Sequence, residues 1–478
     1  MTTMPLAAHT FSPEILRAYD IRGTYLKNLG EQDAYILGRC LAVIVKRDGA
    51  SNKFCIGMDG RLSSPHLHYG LLGGLLDSGC EIIDIDVVAT PALYFAAVTE
   101  KDISFGIMIT GSHNPPGDNG FKIIYQQQPF YGDQIQNLAQ IAAQGNFVDG
   151  YRSQVGLRNI KTQYIESLSK NALSSKYSGN LKIAWDSGNG ATGRLVEMLV
   201  EVIPAQQHIT LYTEIDGTFP NHHPDPTIAK NVEELSAAVL SNNCDIGFAF
   251  DGDGDRIGVI DDKGRLISGD KIMLILAEDL LTRHPGATIV ADVKTSDTIF
   301  SRIAELGGRA VMSKTGHSYV KVAMKQEGAM LGGEVSGHLF FAEDYYGFDD
   351  ALFAACKIIN IISNSLVPLS QMVDNLPSIY STNEIRLEID EDKKFGFIDQ
   401  LTRYLDTANI SYNGLDGVRV QDKKLGWWLV RASNTQNALI VKIEGNNLEN
   451  LKILCKNVLN IFDDLGFNTT TIREIIYE

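Results

Sequence analysis

The chain has 478 residues, too many for one hydrophobic core, so several domains are expected. Hydrophobic residues make up 44% and charged residues 21%, the balance of an ordinary globular protein. The net charge of −16 argues against general nucleic-acid or membrane-surface binding, so an anion could be held only where the potential is locally positive. Cys40, Cys55, Cys80, Cys244, Cys356 and Cys455 are scattered, mostly within apolar runs, and form no CxxC pair. They read as free thiols of a reducing compartment rather than a disulfide framework or zinc site. The N-terminal stretch lacks a basic region followed by an apolar one, and no apolar run spans a bilayer, so a cytoplasmic protein is expected.

Strand-like and helix-like segments alternate along most of the chain. "KFCIGMD" reads as a strand and "SPHLHYGLLGGLLDSG" as a helix; "CEIIDIDVV" follows as a strand. Further on come "LKIAWD", the helix candidate "GRLVEMLVEVI", then "HITLYTE", "CDIGFAFD" and "ATIVADV". This alternation predicts α/β layers with parallel or mixed sheets. "FCIGMDGR", "LKIAWDSGNGATG" and "TIVADVKTS" share one plan, an apolar strand ending in an acidic residue and a polar loop before a helix. They suggest one α/β unit used three times. The last hundred residues read as strand, helix, hairpin and closing helix, a smaller α+β unit. Four domains are expected, at 1–157, 158–260, 261–375 and 376–478.

Four loops carry chemistry. In "GIMITGSHNPPGDNGFKI" an apolar strand stops at a stiff loop holding Ser112 and His113, with Pro115 and Pro116 lowering its entropy. Strand ends are where α/β folds place ligand and catalytic groups, although a turn in which Ser112 bonds only to backbone has the same sequence. A base adjacent in sequence rarely faces the nucleophile, so a hydrolase triad is not supported. In "FAFDGDGDRIGVI", Asp251, Asp253 and Asp255 alternate with Gly252 and Gly254, so three carboxylates can converge on a hard cation such as Mg2+. An EF-hand would need glycine and glutamate where Arg256 and Asp262 stand. In "MLGGEVSGHLFF", strand alternation would put Glu334, Ser336 and His338 on one face, a set suited to hydroxyl-rich ligands. A half-buried strand with a polar side has the same pattern. In "VRASNTQNALI", Arg431, Ser433, Asn434 and Thr435 form either a phosphate cradle or a plain hairpin turn. Gly188-x-Gly190-x-x-Gly193, with Glu214 further on, is a competing dinucleotide fingerprint and would imply an oxidoreductase. In "FPNHHPDP", the adjacent His222 and His223 do not project together, so this stretch reads as a rigid loop and not a metal site.

"TGSHNPP", "DGDGDR", "GEVSGH" and "RASNT" together resemble the α-D-phosphohexomutase superfamily, in that family's order across nearly the whole chain. "RAYDIRG", "NGFK", "DVKTS" and "KTGHSYVK" add to the match. The resemblance implies three related α/β domains with mixed sheets plus a smaller C-terminal α+β domain around a central cleft. It implies a mutase that interconverts hexose 1-phosphate and hexose 6-phosphate through a phosphoserine at Ser112 and a bisphosphorylated sugar. Mg2+ would be bound by Ser112, Asp251, Asp253 and Asp255, and glucose 1,6-bisphosphate or mannose 1,6-bisphosphate would be the activator. Arg22 and Arg256 would add positive charge at the transferring group. Lys122, its pKa depressed by nearby cations, or His338 would be the general base. Glu334 and Ser336 would hold the sugar, Arg431, Ser433, Asn434 and Thr435 the idle phosphate, and Tyr19, Lys294 and His317 would line the cleft. "TGSHNPP" and "GEVSGH" look more like the bacterial phosphomannomutase/phosphoglucomutase branch than the phosphoglucosamine mutase branch, which stays as the alternative. Val335 and Asn437 depart from the usual pattern of relatives without touching a proposed ligand. A non-catalytic sugar-phosphate-binding relative is a further alternative. No obligate protein partner is implied.

Overall fold

The computed structural model describes residues 8–173, 179–390, 393–434, 437–467, 469 and 473. They form four sheets with helices around them. The suggested echo of three units is real and extends to strand order. In the first sheet, strand Lys53–Met58 has Glu81–Val87 parallel on one side and Ile103–Ile109 parallel on the other, and Asp118–Tyr125 returns antiparallel to Ile103–Ile109. In the second, Lys182–Asp186 lies between Gln207–Leu211 and Ile246–Phe250, and Ile257–Asp261 returns. In the third, Thr288–Asp292 lies between Arg309–Ser313 and Leu331–Gly333, and Leu339–Phe341 returns. The parallel neighbours require crossover helices, and the sequence supplies them at Ser64–Asp77, Gly193–Val202 and Asp297–Glu305.

This shared order decides where function sits. Each unit contains an antiparallel hairpin, and the tip of each hairpin is one of the polar loops: 110–117, 251–256 and 334–338. The fourth sheet is antiparallel, and its hairpin Gly426–Ala432/Ala438–Gly445 carries the fourth loop. Four chemically distinct loops thus occupy one kind of topological position.

Two expectations need correction. The second sheet does not stop at 260: Leu266–Ile267 pairs with Ile257–Asp261, so that unit extends past the expected limit. Glu334, Ser336 and His338 are not on a strand face. They occupy the turn between Leu331–Gly333 and Leu339–Phe341, where Gly337 has φ +89°. A Cβ there would lie 2.6 Å from the Ile257 carbonyl, so only glycine lets the turn meet the second unit.

One apolar core runs through all three α/β units. It includes Trp185, Phe248, Leu274, Ile289 and Phe353, and helices Thr90–Thr99, Lys161–Ala172 and Ala351–Ser363 all contribute to it. The last of these helices is apolar on nearly every side, as a helix packed among several layers must be, and the Asp350 carboxylate caps it by accepting the Phe353 N–H at 2.9 Å. The fourth unit has its own core around Val430, Val441 and Phe462, and meets the third through Val293, Trp427 and Leu429. All six cysteines are buried and free. No helix among the described residues is long and apolar enough to cross a membrane.

Candidate active site

Ser112 lies in the loop 110–117 with φ +50°, the left-handed region that costs a non-glycine residue about 1 kcal/mol or more. The surroundings over-determine it. Arg61, only 1% exposed, spends its whole guanidinium on this loop. Nη2 donates to the carbonyls of Ser112 (2.7 Å) and Asn114 (2.6 Å), Nη1 to those of Pro115 (2.6 Å) and Asp118 (2.9 Å), and Nε to Asp59 Oδ2 (3.2 Å). Asp59 also accepts from the Thr110 hydroxyl at 2.8 Å, and that hydroxyl accepts the Ser112 N–H at 2.8 Å. Gly111 is required because a Cβ would lie 2.6 Å from the Arg61 guanidinium carbon. The sequence reading missed Arg61, although "MDGR" lay inside one of the three echoed stretches.

The Ser112 hydroxyl points out of this frame and donates to Asp251 Oδ2 at 2.9 Å. The two loops touch so closely that a Cβ on Gly252 would lie 2.4 Å from the Ser112 carbonyl. Asp251, Asp253 and Asp255 are fully buried, and one oxygen from each lies within 4.8 Å of the others. Asp251 Oδ1 accepts the backbone N–H groups of Gly254, Asp255 and Arg256 at 2.9–3.1 Å, which fixes the loop's curl. Burial and the adjacent Asp253 and Asp255 nonetheless push its pKa well above the carboxylate range. Asp253 Oδ1 and Asp255 Oδ1 are buried without a hydrogen-bond partner. Three buried oxygen donors, two with orphaned atoms, fit a hard divalent cation.

Lys122 reaches this cluster from strand Asp118–Tyr125, with Nζ 2.6 Å from Asp253 Oδ2 and in contact with Asp255 Oδ2. Here an expectation fails. Burial pulls its pKa down, but Asp253 and Asp255 outweigh burial and raise it above the lysine range, so Lys122 is a firmly held ammonium. The nearest charges are carboxylates, not the cations that the resemblance implied. The same ammonium holds Asp253 low despite burial.

Cations surround the serine loop. Arg22 donates to Asn114 Oδ1 at 3.0 Å and to Asp20 at 2.6 Å. Arg256 donates from Nε to His338 Nε2 at 2.9 Å. Burial works against both charges, and it is outweighed at Arg22 by Asp20 with Tyr19 and Asp253, and at Arg256 by Asp251, Asp225 and Asp255 together. His113 is half-buried among these cations and held neutral, its pKa driven well below the usual value by desolvation and then by Arg256. Gly190 and Gly193, offered by the dinucleotide reading, are filled by protein: Cβ atoms there would lie 2.9 Å from the Gly252 carbonyl and 1.9 Å from that of Thr213. That loop packs against the carboxylate loop and leaves no pyrophosphate cradle.

On the other wall, Glu334 Oε1 accepts the Gly316 N–H at 2.7 Å, and Ser336 is half-buried in the same turn. Burial raises the Glu334 pKa. His317 is buried with neither ring nitrogen hydrogen-bonded and packs edge-on against Tyr19, ring centroids 5.2 Å apart. Burial drives the His317 pKa well down and the Tyr19 pKa up to about 12, so both are neutral hydrogen-bonding groups. Lys294 donates to Glu384 at 3.0 Å across the third and fourth units, and burial notwithstanding, Glu384 holds it charged. In the fourth loop Arg431 Nε donates to Asp416 at 2.9 Å, and buried Nη2 has no partner among the described residues. Asp416 also accepts the Thr315 N–H at 2.9 Å, tying this loop to the third unit. The Ser433 carbonyl accepts from Lys394 at 2.8 Å, and Asn434 is half-buried. Thr435 lies outside the described residues.

Comparison with known proteins agrees with this arrangement. The family models for phosphoglucomutase/phosphomannomutase match in order: alpha/beta/alpha domain I over residues 13–149, domain II over 162–264, domain III over 268–380 and the C-terminal domain over 384–461. The phosphomannomutase/phosphoglucomutase of Pseudomonas aeruginosa is 40% identical over 461 residues, covering 95% of this chain and 97% of that one. A phosphoglucomutase of Neisseria meningitidis is 40% identical over 441 residues, covering 91% and 93%. The crystal structure of a phosphoglucomutase/phosphomannomutase family protein from Burkholderia thailandensis superposes with a TM-score of 0.88 at 35% identity, covering 96% of this chain and 98% of that one. With the same four domains in the same order along nearly its whole length, the chain belongs to the phosphoglucomutase/phosphomannomutase family.

Proposed function

We propose that the protein is a phosphohexomutase, interconverting hexose 1-phosphate and hexose 6-phosphate of glucose, mannose or both. The observation that carries this reading is the buried Ser112 hydroxyl, held in a left-handed turn and pointed at Asp251 with Arg22 and Arg256 flanking its loop. Ser112 would carry the phosphoryl group. A hydroxyl of the bound hexose phosphate attacks phosphorus, the Ser112 oxygen–phosphorus bond breaks, and the hydroxyl proton passes to a base. The resulting bisphosphate turns in the cleft and returns its other phosphoryl group to Ser112, and the proton goes back to the sugar oxygen. A divalent cation, Mg2+ by the donor set, held by Asp251, Asp253, Asp255 and a Ser112 phosphoryl oxygen, would offset charge on the transferring group. Glucose or mannose 1,6-bisphosphate is the activator that would load Ser112.

Lys122 is the proton carrier this reading favours. Asp253 and Asp255 keep it protonated, and relieved of them the buried ammonium would lose its proton readily, because burial lowers its pKa. Glu334 and Ser336 hold the sugar hydroxyls, and Tyr19, Lys294 and His317 line the space beside them. Arg431, with its unpaired Nη2, holds the idle phosphate with Ser433, Asn434 and Thr435. The test is turnover of glucose 1-phosphate and mannose 1-phosphate with Mg2+ and a trace of bisphosphate, for wild type and Ser112→Ala. Conversion by the wild type and loss of at least about 10³ in the variant is expected. Equal rates in the two proteins would overturn the reading. Conversion of glucosamine 1-phosphate alone would move the protein to the phosphoglucosamine branch.

A further inference from the structure

The carboxylate loop is gripped from all three α/β units. Three successive carbonyls in it accept N–H groups at the starts of three helices: Gly252 from Ala191 at 2.9 Å, Asp253 from Thr90 at 2.8 Å and Gly254 from Ala351 at 3.4 Å. Ala191 lies just before Gly193–Val202, Thr90 opens Thr90–Thr99 and Ala351 opens Ala351–Ser363. Of these three donors, Thr90 alone has a polar side chain. Its buried hydroxyl donates to Asp253 Oδ2 at 2.5 Å, between residues 163 positions apart in the chain. A threonine at a helix start ordinarily caps its own helix. This one stands at the first helical position, behind Ala89, and no side chain caps that helix. A hydroxyl has one proton to give, and here it goes to a carboxylate of another unit, although the backbone bond already ties the two units together.

That carboxylate belongs to the cation site described above. Asp253 Oδ2 receives both the Thr90 hydroxyl and Lys122 Nζ, at 2.5 and 2.6 Å, while Oδ1 is buried without a partner. Two donors on one oxygen fix the plane of the carboxylate and leave the other oxygen for the ion. The donors differ in one respect. Lys122 is shared with Asp255, and as proton carrier it must let go of both. The Thr90 hydroxyl has no such duty.

We propose that Thr90 is a positioning residue for the divalent cation, acting through Asp253; this rests on the mutase reading above and on its cation site. The hydroxyl keeps Asp253 Oδ2 in place when Lys122 leaves it, so that Oδ1 stays turned to the ion. The first unit thus supplies a second anchor at the metal site, besides the Ser112 oxygen.

Thr90→Val removes the hydroxyl and keeps the backbone N–H. The probe is Mn2+, with the free ion counted by electron paramagnetic resonance in the presence of the whole protein. Asp253→Asn marks which binding belongs to this site. The wild type should bind one Mn2+ that Asp253→Asn loses. Thr90→Val should raise the Kd roughly tenfold to a hundredfold, the effect of removing a partner of a metal ligand, and Thr90→Ser should stay within about threefold of wild type. The Mg2+ concentration giving half-maximal turnover should rise in Thr90→Val by the same factor as the Kd. A hydroxyl that only tied the units together would lower the melting temperature and leave the Mn2+ affinity of the folded protein unchanged. Thr90→Ala, which introduces no new atom, gives the same readout if valine disturbs the packing. Wild-type Mn2+ affinity in the valine or alanine variant, or a serine variant as weak as valine, would overturn the proposal. So would a wild type with no Mn2+ site that depends on Asp253. Failure of the mutase reading is seen separately, as a wild type that binds Mn2+ and converts no hexose phosphate.

Discussion

Two buried arginines hold two loops, and the molecule uses them in opposite ways. All of the hydrogen bonds of Arg61 go to protein: four carbonyls of the serine loop and its neighbour, and Asp59. Arg431 gives Nε to Asp416 and keeps a buried Nη2 unpartnered among the described residues. A buried donor without a partner costs about 1–3 kcal/mol, so it persists where a ligand completes it. A saturated guanidinium has nothing left to give a ligand, whereas Arg431 keeps one donor free among the described residues. The contrast matches the proposed labour: the serine loop must stay fixed while phosphate at the fourth loop comes and goes.

The sharpest way to break this contrast is to remove the clamp. Arg61→Met would strip the guanidinium from four backbone carbonyls and leave the buried Asp59 carboxylate without its counter-charge. A loss of about 3–5 kcal/mol in stability is expected, as for a broken buried charge network, together with at least about a hundredfold fall in kcat. Denaturant unfolding and turnover check the two effects. Arg61→Met with wild-type kcat would show that the serine loop needs no clamp. Arg431→Met should act in the other sense. KM for hexose phosphate should rise roughly tenfold to a hundredfold, from loss of charged hydrogen bonds worth about 1.5–3 kcal/mol, while stability falls less than in Arg61→Met because only the Asp416 pair is broken. A KM unchanged in Arg431→Met would remove the fourth loop from phosphate binding.

A smaller effect should appear where the two halves of the cleft are tied together. Lys294 and then burial act on Glu384 in opposite directions, and the net effect brings its pKa down from the ordinary glutamate value to about 2. A carboxylate whose pKa is depressed on folding adds stability that is present above the unfolded value near 4.5 and lost as pH falls toward 2. Glu384→Gln should therefore melt lower than wild type at pH 7, and the gap should close as pH drops through that window. A gap constant with pH would mean that the Lys294–Glu384 pair carries no linkage.

The sequence announced the four loops because their chemistry is local. Asp251, Asp253 and Asp255 stand at alternate positions with glycine between them, and the curl needs nothing from elsewhere except backbone N–H groups of the same loop. Ser112 was visible for a similar reason, at the end of an apolar strand and before two prolines. Three features were misread or missed, each because a long-range contact decides it. "GEVSGH" alternates like a strand, but Gly337 makes it a turn by letting it pack on Ile257. Lys122 looked like a lysine among cations, but Asp253 and Asp255 are folded onto it from more than a hundred residues away. Arg61 left no chemical signature, because it acts on carbonyls distant in the chain.

By itself, then, the sequence determined the layered α/β architecture, the threefold repeat of its units and the position of the four polar loops, since periodicity, turn residues and local spacing are enough for these. Tertiary structure alone decided that three of the loops are hairpin tips of equivalent sheets, with the Ser112 loop against Asp251 and Gly252 and the Gly337 turn against Ile257. It also decided the charge on Lys122 and the different hydrogen bonding of Arg61 and Arg431. Those depend on burial and on partners brought together by packing, and the energy of a buried charge or donor is set by whichever groups the fold places within about 3 Å of it.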